Sequence, residues 1–115
     1  MSNSARYTLI GALTGVFITI PAIIFAVASG GAGHGDYAIA RVFFPLPMLI
    51  TRLTSDTISV PSIILAFIQF PIYGGVLGSS AAVGNNTLTR AILVILLLHA
   101  IPAAICFAGV LPYFS

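Results

Sequence analysis

Three polar side chains stand inside otherwise apolar stretches, and each is followed within three positions by a proline. The pairs are Thr19 with Pro21, Gln69 with Pro71, and His99 with Pro102. Because proline lacks an amide hydrogen, it leaves the carbonyl four residues earlier without its helical donor. In hydrocarbon, leaving such a carbonyl unbonded is strongly destabilising. We therefore expect the three side chains to cross-link helices by donating to the freed carbonyls of Phe17, Phe67 and Leu98.

The depth of these side chains leaves a second interpretation open. At the helical rise, Gln69 and His99 lie about 13 Å from the nearer ends of their stretches, and Thr19 lies about 18 Å from Tyr7. All three can thus share a layer near the middle of a membrane, where transporters place their binding sites. The chain has no glutamate, and no carboxylate lies inside its three longest apolar stretches, which disfavours proton-coupled transport.

A glycine-rich segment, 30–37, carries His34 and Asp36 and lacks the spacing and the lysine of a phosphate loop. If four helices cross the membrane, the first and third connections meet on one face and form a candidate functional surface. Its members are His34, Asp36, Arg41, Asn85, Asn86 and Arg90. Asp36 would pair with Arg41 or Arg90 and orient His34. The plainer interpretation is that Asp36 caps the next helix and the other side chains are solvated.

These residues do not predict a cofactor. Stable metal sites need three or four ligands, and His34 stands alone in its segment. A haem held by His34 and His99 would have suitable ligand types, but their depths differ by about 13 Å. We therefore expect no metal and no cofactor, and we assign no catalytic residue.

The elements that position these side chains must be membrane helices. Of the 115 residues, 59% are hydrophobic and 5% are charged, whereas a soluble domain carries about 25% charged residues. The net charge of +2 comes from isolated arginines and two aspartates, so it forms no basic patch for nucleic acid. We expect a single transmembrane domain over residues 1–115.

Four apolar stretches predict an all-α membrane protein, a compact up-down bundle of four proline-kinked transmembrane helices. The predicted spans are 7–28, 38–53, 60–79 and 89–112, joined by short polar connections. The second stretch is shorter and contains Pro45 and Pro47 between Arg41 and Arg52. The alternative is therefore three spans plus a short re-entrant or interfacial segment.

Small residues recur at four-residue spacing in three of the stretches, which lets helix backbones approach closely in lipid. They are Gly11 and Gly15, Gly74 and Gly78, and Ala100, Ala104 and Ala108. We expect most of this packing to lie within the bundle. The alternative for any one ridge is a face for self-association or for a partner helix.

Together these features predict a small polytopic membrane protein with a non-enzymatic role, an accessory or structural subunit that packs against itself or a partner. The alternative is an oligomeric transporter or channel for ions or small solutes. The sequence does not favour an enzyme based on His34 and Asp36, because it shows no nucleophile paired with a general base. We expect contact with the lipid bilayer and none with nucleic acid. We also expect location in the cell (inner) membrane, with both termini in the cytoplasm.

Overall fold

A computed structural model of the chain describes residues 1–31, 37–54 and 58–110, and every element in these ranges is helical. The helices are α1 (Asn3–Ala28), α2 (Ala38–Phe43), α3 (Pro45–Ile50), α4 (Val60–Val83) and α5 (Asn85–Ile105). A 3₁₀ turn, Thr51–Thr54, follows α3. A π-helical turn, Cys106–Val110, follows α5.

Three of these helices are long and apolar enough to cross a membrane, namely α1, α4 and α5 with its continuation to Ala108. They contain 26, 24 and 24 residues, and their most apolar windows have mean hydropathies of 2.3, 1.8 and 2.6. A hydrocarbon core of about 30 Å needs about 20 helical residues. The prediction of an all-helical protein with membrane-compatible helices is confirmed.

The fourth predicted span, 38–53, is not confirmed. It forms α2 and α3, which have six residues each and are separated by Phe44 at φ −128° and ψ 57°. A residue that precedes a proline is pushed out of the helical region of backbone space, and Pro45 follows Phe44. Neither helix is long enough to cross the hydrocarbon on its own.

Helix α1 lies antiparallel to α4, and the two are joined by their glycines. Gly11 faces Gly74, Gly15 faces Phe70, and Gly78 faces Tyr7. A Cβ atom added to any of these glycines would overlap the backbone of the opposite helix. The two backbones are therefore in direct contact, which is the packing that small residues at four-residue spacing permit in lipid.

Helix α5 folds back along α4 through a one-residue joint. The predicted connection 80–88 is helical on both sides, and only Gly84 separates α4 from α5. Gly84 has φ 157° and ψ 171°, which is accessible to glycine and strained for other residues. Contact between Tyr73 and His99 across this joint shows that the two helices run in opposite directions.

These two antiparallel pairings define the ends of the bundle. The start of α1, the end of α4 and the start of α5 share one end, which we call the Asn3 end. The end of α1, the start of α4 and the end of α5 share the other, which we call the Ala28 end. The short helices α2 and α3 pack at the Ala28 end, where the buried apolar core lies. Its members are Ala22, Ala26, Ala40, Phe44, Met48 and Cys106.

Candidate functional site

Side chains from α2, α4, α5 and the π-helical turn contact backbone carbonyls around the break between α2 and α3. We call this set of hydrogen bonds the polar clamp. It consists of the side chains of Arg41, Gln69, His99 and Cys106 and the carbonyls they contact. A break in a helix leaves carbonyls without intrahelical donors, and in an apolar environment they need other partners.

Gln69 takes the place of a donor that a proline lacks. Its Nε2 donates to the carbonyl of Phe43 at 2.8 Å. In a continuous helix that carbonyl would accept from the amide of Pro47, which has no hydrogen. The Gln69 side chain is 3% exposed, so the bond is shielded from solvent.

His99 bonds the neighbouring carbonyl. Its Nε2 lies 2.6 Å from the carbonyl oxygen of Val42, in the last turn of α2. Because a carbonyl only accepts, Nε2 is the donor in this contact. The hydroxyl of Tyr73 lies 3.5 Å from Nδ1, at the limit of a hydrogen bond.

Arg41 and Cys106 make two contacts that join α2 and α3 to the turn that follows α5. Arg41 is 8% exposed, and its Nη1 donates to the carbonyl of Cys106 at 3.1 Å. The Cys106 thiol in turn contacts the carbonyl of Pro45 at 3.5 Å. The guanidinium also lies 5.9 Å from the centre of the Phe107 ring, within range of a cation–π interaction.

A row of aromatic rings runs from the break to the clamp histidine. Phe44 meets Phe70 edge-on at 5.4 Å, and Phe70 meets Tyr73 at 6.0 Å. Tyr73 then meets His99 at 6.0 Å. Edge-to-face pairs at these distances are favourable, so the row fixes the rings around the bonds that hold α2 and α3.

The three polar side chains singled out from the sequence do not bond the carbonyls expected for them. Thr19 donates within its own helix, to the carbonyl of Gly15 at 2.7 Å. Gln69 and His99 share a site, but they bond α2 instead of their own helices. The signal for this arrangement was Pro47, which frees the carbonyl of Phe43. Cys106 gave no polar signal, because its surroundings in the sequence are apolar.

The four described residues of the candidate functional surface are not all brought together. His34 and Asp36 lie outside the described residues. Arg41 is buried at the Ala28 end, whereas Asn85, Asn86 and Arg90 are exposed in the first turns of α5, at the Asn3 end. The physical reason is the number of long helices. With three long helices among the described residues in place of the four predicted, the end of α1 and the joint before α5 lie at opposite ends.

The side chains of the polar clamp are suited to bond backbone carbonyls. Its donors contact carbonyls, and Gln69 Oε1 is buried with no hydrogen-bond partner in the described part of the chain. Within the same ranges, no group of three His, Cys, Asp or Glu side chains is placed to hold a metal ion. Leaving a buried acceptor unbonded costs about 1–3 kcal/mol.

No protein-family model, curated protein or solved structure matches this chain. Its function is therefore inferred from the geometry alone.

Proposed function

We propose that this protein is a small non-enzymatic membrane subunit that acts by packing α5 against a transmembrane helix of a second copy or of another membrane protein. The observation that carries the proposal is the alanine ridge of α5. Ala100, Ala104 and Ala108 are all exposed. The glycines of α1 and α4 that share this spacing are already packed against the backbone of the opposite helix.

The exposure of α5 as a whole supports this proposal. Only 6% of its most apolar window is buried, compared with 22% for α1 and 17% for α4. The side of α5 that faces the rest of the chain carries Ile95 and His99. At 3.6 residues per turn, Ala104 lies about 140–180° around the helix from both. The ridge therefore points away from the bundle, where a second helix has room to approach.

The three long helices support a three-crossing arrangement in the membrane. In it, α1, α4 and α5 cross, while α2 and α3 enter from the Ala28 end as a re-entrant segment. Irregular backbone is tolerated at membrane depth only where protein covers it, and the polar clamp supplies that cover. An odd number of crossings separates the start of α1 from the end of α5, so we replace the expectation of two cytoplasmic termini with termini on opposite faces.

The polar clamp favours a subunit over a permeation pathway. A pathway needs polar groups that are available to a solute. Here Nε2 of Gln69 and Nε2 of His99 both contact backbone carbonyls of the same chain. The outward side of α5, by contrast, is exposed and available to a second helix.

Native mass spectrometry of the protein, purified in a mild detergent, tests the proposal. We expect a species heavier than the 11.9 kDa single chain. Ala104→Leu should weaken its association about tenfold, a loss of about 1.4 kcal/mol, because the larger side chain separates the helices. Ala28→Leu, at an exposed alanine of α1, is the matched control and should leave the mass distribution unchanged. A lone monomer with nothing bound would overturn the proposal.

A further inference from the structure

An open groove runs between α4 and α5, in the half of the bundle nearer the Asn3 end. Its volume is about 450 Å³, within the range of about 300–1,000 Å³ that is usual for ligand sites. Its apolar walls include Ile72 and Val76 of α4 and Val94 and Leu98 of α5. Along α5 the groove extends from Arg90 to Leu98, about 12 Å at the helical rise. A slot of this length and composition fits part of one acyl chain.

Arg90 supplies a positive charge at the Asn3 end of this groove. Its side chain is exposed, and the described residues include no aspartate or glutamate to pair with it, because Asp36 and Asp56 lie outside them. By contrast, the neighbouring groove between α1, α4 and α5 has no charged residue in its walls. The α4–α5 groove therefore combines an apolar slot with a cation that can bind an anion from outside the chain.

The depth of Arg90 fits a lipid headgroup if α5 crosses the membrane. With its continuation to Ala108, α5 contains 24 residues and is about 36 Å long, slightly longer than a hydrocarbon core of about 30 Å. The backbone of Arg90 then lies about 5 Å below the hydrocarbon boundary. An arginine at this depth keeps its stem in apolar surroundings and extends its charge to the headgroups, where lipid phosphates lie.

We propose that the groove binds one acyl chain of an anionic phospholipid whose headgroup pairs with Arg90. A second copy of this protein is a poorer occupant, because its described residues bring no carboxylate to Arg90. A zwitterionic lipid brings a cation together with its phosphate, so Arg90 attracts it less. The proposal rests on α4 and α5 crossing the membrane, as in the proposed function, and does not depend on what the alanine ridge contacts.

A lipid competition tests this proposal. The full-length protein, in detergent and freed of lipid, is given equal amounts of phosphatidylglycerol and phosphatidylcholine with the same acyl chains. Native mass spectrometry counts the molecules of each lipid that are retained. We expect about threefold to tenfold preference for phosphatidylglycerol, the ratio that one arginine near an anionic headgroup provides. The same spectra count the associated protein chains, so failure of this proposal is distinguished from failure of the proposed function.

Charge variants make the result specific to Arg90. Arg90→Gln should abolish the preference, and Arg90→Lys, which keeps the charge, should retain it. Arg6→Gln is the matched control, because Arg6 is also exposed at the Asn3 end but does not line the groove. A preference that survives Arg90→Gln, or one that is lost in Arg6→Gln, would overturn the proposal.

A second pair of variants tests the groove itself. Val94→Phe partly fills it and should lower retention of both lipids, whereas Val16→Phe, at an exposed valine of α1 outside the groove, should not. Inorganic phosphate at the concentration of the lipid should not displace phosphatidylglycerol, because it has no acyl chain. Equal retention of the two lipids by the unmodified protein, or displacement by phosphate, would contradict the proposal. Fewer associated chains in Val94→Phe with unchanged lipid retention would place a second copy in the groove and would also overturn it.

Discussion

At the scale of single residues, this protein uses polar side chains to complete the backbone of a broken helix. Gln69 and His99 each supply one donor to one carbonyl, on Phe43 and Val42. Each bond is worth about 1–2 kcal/mol in a membrane environment. Without these bonds, the two carbonyls would lie unbonded in an apolar core.

Gln69→Met tests the first of these bonds. Methionine keeps the length of the side chain but cannot donate, so the carbonyl of Phe43 loses its partner. We expect the free energy of unfolding to fall by about 1–2 kcal/mol, measured by denaturing-detergent titration in mixed micelles. Thr14→Val is the control, because its hydroxyl bonds a carbonyl within regular helix α1 and should change the stability little. Equal losses for the two variants would contradict this role for Gln69.

The two contacts of His99 should differ in strength. The bond from Nε2 to the Val42 carbonyl measures 2.6 Å, whereas the Tyr73 hydroxyl lies 3.5 Å from Nδ1. Hydrogen bonds weaken steeply at the longer distance. In the same titration, His99→Phe should cost about 1–2 kcal/mol, and Tyr73→Phe less than about 0.5 kcal/mol. A larger loss for Tyr73→Phe would show that the hydroxyl, not the carbonyl contact, holds the ring.

At the scale of elements, the molecule contains one tight helix pair and one loosely attached helix. The contact of α1 with α4 is made through backbone, because glycines face backbone on both sides. Helix α5 is attached through the Gly84 joint and the polar clamp, and its outer side is exposed. The same four-residue spacing of small residues therefore occurs in a buried contact, between α1 and α4, and on an exposed face, that of α5. The spacing alone does not tell the two apart.

Adjacent glycines in α4 provide a matched test of the tight pair. A Cβ at Gly74 would overlap the carbonyl of Gly11, whereas a Cβ at Gly75 would find its nearest neighbour, on Thr8, at 3.8 Å. Gly74→Ala should therefore lower the free energy of unfolding by about 1–3 kcal/mol. Gly75→Ala should be neutral or stabilising by up to about 1 kcal/mol, since alanine favours helix. Similar losses at both positions would contradict the backbone contact.

The long helices were predictable from sequence, and the short ones were not. A stretch of about 20 apolar residues has few alternatives to a membrane helix, so α1, α4 and α5 followed from composition. In 38–53, Pro45 and Pro47 predict a break but not where the chain goes after it. Likewise the sequence identifies Gln69 as a donor, while its choice of the Phe43 carbonyl over that of Phe67 depends on tertiary packing.

At the scale of the whole molecule, the number of crossings sets which residues share a membrane face. With three crossings, Ser4 and Asn86 share a face and Ile58 lies on the other. With four, the positions of Asn86 and Ile58 would be exchanged. Single cysteines at these positions, treated with a membrane-impermeant maleimide in sealed vesicles, should label Ser4→Cys and Asn86→Cys together. The native Cys106 is 0% exposed and should stay unlabelled. Labelling of Ser4→Cys together with Ile58→Cys would restore the four-crossing bundle.

The polar clamp also determines when this protein can finish folding during synthesis. The carbonyls of Phe43, Val42 and Pro45 receive their partners from residues 26, 57 and 61 positions later in the chain. A ribosome makes α2 and α3 well before it makes any of those partners. In the proposed re-entrant arrangement, α2 and α3 therefore lack these partners until α4 and then α5 have been made. We expect the nascent chain to depend on the insertion machinery or a chaperone until Cys106 has emerged.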